Sequence, residues 1–85
     1  MSYKIQLEKF EGPLDLLLYF IRRDELDIYD IPIAKITEDF IDTINEWKRL
    51  NLIVAGDFIV MASTLMRIKA KMMIPRKESD EEGVI

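Results

Sequence analysis

Hydrophobic and polar residues alternate at the start of the chain, where Tyr3, Ile5 and Leu7 interleave with Lys4, Gln6 and Glu8. A period of two predicts a short, half-buried strand. The period then lengthens. Gly12-Pro13 opens a helix, because proline at the first helical position gives up no donor that the helix needs and its fixed φ already suits helical geometry. Asp15 places a negative charge at the positive end of that helix's dipole. Leu14, Leu17, Leu18 and Ile21 recur at i, i+3, i+4 and i+7, the spacing of a core-facing stripe. Leu16 and Phe20 widen the apolar arc to roughly 200°, well beyond what a one-sided surface helix carries, so this helix is expected to pack on two sides.

From Leu26 to Ile33 the sequence is too short and too punctuated for a helix and is rich in β-branched residues. It reads as an extended segment that could pair with the first strand. Asp30 is the expected N-cap of a second helix, with Pro32 in its first turn. On that helix Ile33, Ile36, Phe40, Ile44 and Trp47 share one side and Glu38, Asp42, Asn45, Glu46 and Arg49 the other, the pattern of an ordinary outer helix. Lys48 and Arg49 fall in its last turn, where the dipole favours cations, and Asn51 is a residue suited to a left-handed terminator.

The third helix is predicted from about Ala55 to Ile74, with Pro75 as its stop. Phe58, Met61, Leu65, Ile68 and Met72 form one stripe, and Ile59, Ala62, Met66, Ala70 and Met73 a second beside it. Lys69 projects between the two. The polar remainder, Ser63, Thr64, Arg67 and Lys71, is narrow, and a domain of this size can hardly cover both stripes by itself. Soft, adaptable methionines suit a core and also a helix-in-groove interface. The width of the arc favours the interface. After Pro75 the chain turns acidic and polar and cannot offset its ordering entropy. The expected organisation is therefore a helical domain over 1–76 and a flexible acidic linker or tail over 77–85, the chain being a piece of a longer protein.

Composition narrows the function. The 85 residues suffice for one compact domain, and 49% hydrophobic with 33% charged residues is the balance of a folded protein rather than a disordered one. Twelve Lys and Arg against sixteen Asp and Glu give a net charge of −4, which argues against a direct nucleic-acid footprint. There is no cysteine for a disulfide or thiolate metal site, and no histidine, the commonest general base and zinc ligand. No enzyme activity and no cofactor is expected. Asp24, Asp27 and Asp30 lack the glycine and the bidentate glutamate of a calcium loop, and Glu38 with Asp42 lies on a solvated helix face with nothing to raise a pKa. Arg67, Lys69, Lys71, Arg76 and Lys77 cluster where the dipole of the third helix favours cations; a contact with an acidic protein partner is the next reading, and nucleic acid a weak third. No segment has the pattern of a signal peptide or the length of a membrane span, so no membrane association and a cytoplasmic location are expected.

The run Phe10-Glu11-Gly12-Pro13-Leu14-Asp15-Leu16-Leu17-Leu18 resembles the opening signature of the segregation and condensation protein A family, the bacterial kleisins. Leu26 to Ile33 followed by Ile36-Thr37, and Phe58 to Leu65 followed by Ile68-Lys69, resemble two further blocks of the family in the same order. The resemblance implies a non-catalytic subunit of a condensin-like complex in chromosome condensation and segregation. Its N-terminal domain would bind the coiled-coil neck of the SMC (structural maintenance of chromosomes) ATPase. Segregation and condensation protein B would be met through a region absent here, and DNA only indirectly through the complex, which would bring the protein to the nucleoid.

The expected fold is thus mainly α, three helices with a short extended N-terminal strand, completing a helical bundle with a partner coiled coil. The expected partner-binding residues are Leu65, Met66, Ile68, Lys69, Met72 and Met73 on the third helix, with Leu16 and Phe20 on the first. A self-associating helical adaptor, a homodimer with no SMC partner, is the alternative that the same surface allows.

Overall fold

The computed structural model describes residues 5–73. Three α-helices make up the domain: α1 Pro13–Arg23, α2 Ile33–Arg49 and α3 Gly56–Met73, preceded by a 3₁₀ turn at Leu7–Lys9. The mainly helical expectation is met. Among the described residues there is no strand; Tyr3 and Lys4 of the expected one lie outside them, and so do Ile74 and the acidic stretch after it.

α1 starts where Gly12-Pro13 predicts, and Asp15 does more than sit near the dipole. Its Oδ2 accepts the backbone N–H of Glu11 at 2.9 Å, fixing the chain's entry into the first turn. The helix ends in a left-handed residue, Glu25, at φ 52°. Here the Leu26 N–H donates to the Ile21 carbonyl at 2.9 Å and the Glu25 N–H to that of Arg22 at 3.1 Å, so two carbonyls with no partner inside the helix are satisfied.

The Leu26 to Ile33 segment is a turn and not an extended strand, which corrects the sequence reading. The Asp27 carboxylate accepts the Tyr29 N–H at 2.9 Å and the Asp27 carbonyl accepts the Asp30 N–H at 2.9 Å, so local side-chain bonding wins over pairing. Asp30 is consequently not the N-cap. α2 begins after Pro32, because the proline ring keeps the preceding Ile31 out of the helical region. α2 ends on the predicted Asn51 at φ 64°, with the Leu52 and Asn51 N–H groups donating to the Trp47 and Lys48 carbonyls, both at 2.9 Å.

The core is built on α2. Ile36, Phe40, Ile44 and Trp47 are buried, as their spacing predicts, against Leu16 and Phe20 of α1 and Phe58 and Leu65 of α3. α2 and α3 form the most extensive helix pair and run antiparallel. The Trp47 and Phe58 rings meet edge to face at 5.7 Å near their connection, and Phe40 stacks on Phe58 at 6.5 Å.

α1 is rolled relative to the stripe expected from its sequence. Leu16 and Phe20 are 0% and 1% exposed, whereas Leu14 and Leu18 are 64% and 42% exposed. Both sides of this helix are apolar, so its sequence leaves the phase open. Packing the larger Phe20 ring together with Leu16 decides it. Polar contacts hold the same orientation: the Arg23 guanidinium lies 4.9 Å above the Phe20 ring, pairs with Asp24 at 2.9 Å and reaches Asp39 of α2 at 3.2 Å. Lys35 closes the network, 2.8 Å from Asp39 and 3.4 Å from Asp24.

Candidate docking surface

α3 is an 18-residue helix whose fully buried side chains are only Phe58 and Leu65. Beyond Leu65 its apolar stripes continue with little to cover them. Met66 is 51% exposed, Ile68 38%, Met72 64% and Met73 62%. Large apolar side chains gathered on one helical segment mark a surface that meets something else.

On one flank this surface deepens into a groove of about 400 Å³ between α2 and α3. Met66, Lys69, Ala70 and Met73 form the α3 wall, and Thr37, Glu38, Ile41 and Asp42 the α2 wall. Lys69, between the two stripes, is partly covered. Thr37 is 1% exposed, and its hydroxyl has no hydrogen-bond partner among the described residues.

Of the eight residues expected at a partner surface, five are reachable there: Met66, Ile68, Lys69, Met72 and Met73. Leu65, Leu16 and Phe20 lie instead in the core. Leu65 faces the same side as Phe58, two turns earlier, and both are covered by the antiparallel α2; the roll of α1 turns Leu16 and Phe20 inward. The α2 wall was missed in the sequence. Glu38 and Asp42 read as a solvated face because groove formation depends on how the α2–α3 pair is set. The flanking apolar Ile41, one position beyond Phe40, was the available signal.

The remaining polar groupings have structural work. Asp24 belongs to the ion network and Asp27 caps the turn. Hydrogen bonding from Arg23, aided by Lys35, holds the Asp24 carboxyl below its ordinary value, and hydrogen bonding to Asp39 raises the Lys35 ammonium above its own. Among the described residues no group of three or more acidic side chains is placed to hold a metal ion, and no helix is long and apolar enough to cross a membrane.

Fold and surface together define a small three-helix domain whose last helix carries an uncovered apolar flank. Sequence comparison makes the assignment specific. The family described as segregation and condensation protein ScpA matches residues 20–84. Three curated relatives are each named segregation and condensation protein A. The one from Brevibacillus brevis is 56% identical over 78 residues, 92% of this chain and 31% of its own length. The relative from Bacillus cytotoxicus is 52% identical and that from Bacillus cereus 51%, both over 80 residues, 94% of this chain and 32% of theirs. The chain belongs to the segregation and condensation protein A family, and it spans about a third of the length of these relatives.

Proposed function

We propose that this chain is the N-terminal, non-catalytic docking part of a kleisin subunit in a bacterial condensin-like complex that acts in chromosome condensation and segregation. It binds the coiled-coil neck of the SMC ATPase through the C-terminal half of α3. Any ATP hydrolysis belongs to the partner, segregation and condensation protein B is met through the part of the protein beyond this chain, and DNA is reached through the complex. The single observation that carries this reading is the exposed Met66, Ile68, Met72 and Met73 on a helix that the rest of the domain covers only in part. Membership of the family supports it.

Two neck helices laid along α3 complete a bundle and remove this surface from water. The Lys69 stem packs among the methionines while its ammonium meets an acidic neck residue, and a neck polar group reaching Thr37 relieves its orphaned hydroxyl. Leu65 acts from behind, as the core residue that fixes the rotation of α3.

The test is titration of the chain with a head-plus-neck fragment of the SMC protein from the same organism. Met66→Glu or Met73→Glu should weaken binding by at least ~2 kcal/mol while leaving the helical circular dichroism unchanged, because a charge is driven into an apolar contact. Ser63→Glu and Lys71→Glu, on the opposite strip, should change affinity much less. Equal loss in both sets would refute the assignment of this face. Absence of neck binding by the wild-type chain, together with a sedimentation mass twice the monomer that falls on Met66→Glu, would replace it with the homodimeric adaptor.

A further inference from the structure

We propose that the outer face of α1 is a second docking surface, which takes an acidic amphipathic segment of a partner protein into the cleft between α1 and the 3₁₀ turn. This cleft of about 440 Å³ shares no residue with the α2–α3 groove. Phe10 and Tyr19, edge to face at 5.8 Å, and the half-exposed Leu18 give it an aromatic and aliphatic lining. Leu14, the most exposed leucine of α1, extends the apolar strip by one turn.

The charges at the cleft differ in how far they are already engaged. Arg23 is committed to Asp24 and Asp39, and the Asp15 carboxylate is held by the Glu11 N–H. Lys9 and Arg22 are exposed, and neither forms an ion pair among the described residues. Two uncommitted cations beside an apolar cleft complement a segment that carries one or two large apolar side chains flanked by carboxylates.

A polyanion such as DNA fits less well. Two cations without an ion pair among the described residues release few counterions, too few for a duplex-binding surface but enough for one or two carboxylates of a short segment. A partner seated here leaves the α3 flank free, and one domain can be held from two sides.

The experiment uses the 85-residue chain, isotope-labelled for amide NMR, and two synthetic amphipathic helices, one of leucine and glutamate and one of leucine and lysine. The acidic peptide should shift the amides of Lys9, Leu18, Tyr19 and Arg22 in a saturable way that weakens with added salt. Its affinity should fall at least about fivefold in a Lys9→Glu, Arg22→Glu double variant, stay within about twofold in Arg22→Lys, and exceed that of the basic peptide by at least about fivefold. Leu18→Ser, an exposed substitution, should also weaken it, and this variant keeps the test valid if the double variant melts early. Equal affinity for both peptides, shifts confined to α3, no saturable shift, or tighter binding of duplex DNA at the same residues would each overturn the proposal.

Discussion

The indole Nε1 of Trp47, on α2, donates to the backbone carbonyl of Ile5 at 2.6 Å, joining two residues 42 positions apart. This bond ties the segment before the 3₁₀ turn to the centre of the core, where Trp47 also meets the Phe10 and Phe58 rings. Trp47→Phe keeps an aromatic ring but loses the donor, and should cost about 1 kcal/mol or somewhat more with the lost volume. Trp47→Ala should cost ~3–5 kcal/mol, which for so small a domain approaches its whole stability. Urea unfolding followed by circular dichroism measures both.

The roll of α1 predicts an asymmetry among Leu14, Leu16, Leu18 and Phe20, which lie within about two turns of the helix. Leu16→Ala should cost ~2–5 kcal/mol and Phe20→Ala ~3–5 kcal/mol, because each leaves a cavity in the core. Leu14→Ala and Leu18→Ala, on the exposed face, should stay within about 0.5 kcal/mol. The reverse order in denaturant midpoints would show that the helix is set in the other phase.

Glu25 carries a positive φ with a side chain that does not favour it, whereas Asn51 tolerates the same geometry better. Glu25→Gly should therefore raise the unfolding free energy by about 0.5–1 kcal/mol, and Asn51→Gly should change it less. Glu25→Val should destabilise, since a β-branched residue is least at ease there. Thermal melts of the three variants make the comparison.

Stability should be nearly flat across neutral pH, because the chain has no histidine and no cysteine. Asp24 has a folded pKa below its ordinary 3.8, so its contribution is complete above that value and disappears as pH falls through the lower, folded value. Lys35, raised above 10.5, contributes fully below that value and loses its contribution only as pH rises through the higher, folded one. The melting temperature should thus hold between about pH 5 and 9 and drop in acid, with Asp24→Asn lowering the neutral plateau and flattening part of the acid limb.

Much of this domain is determined locally. The helix positions follow from Gly12-Pro13, from the periodicity of α2 and α3, and from Asn51, since a proline's fixed φ, a 3.6-residue period and an αL-tolerant residue act within one or two turns. The buried side of α2 was legible too, because only one of its faces is apolar. So was the exposure of Met66, Met72 and Met73, from an apolar arc too wide for so small a domain to cover. Tertiary structure alone decided which leucines of α1 face the core, that Leu26 to Ile33 turns instead of pairing, and that Glu38 and Asp42 wall a groove. The reason is common to all three. An apolar arc wider than its contact, or a short segment with competing local bonds, has several arrangements of similar local energy, and the choice falls to the shape of residues far away in the chain, here the Phe20, Phe40, Trp47 and Phe58 rings around which the helices close.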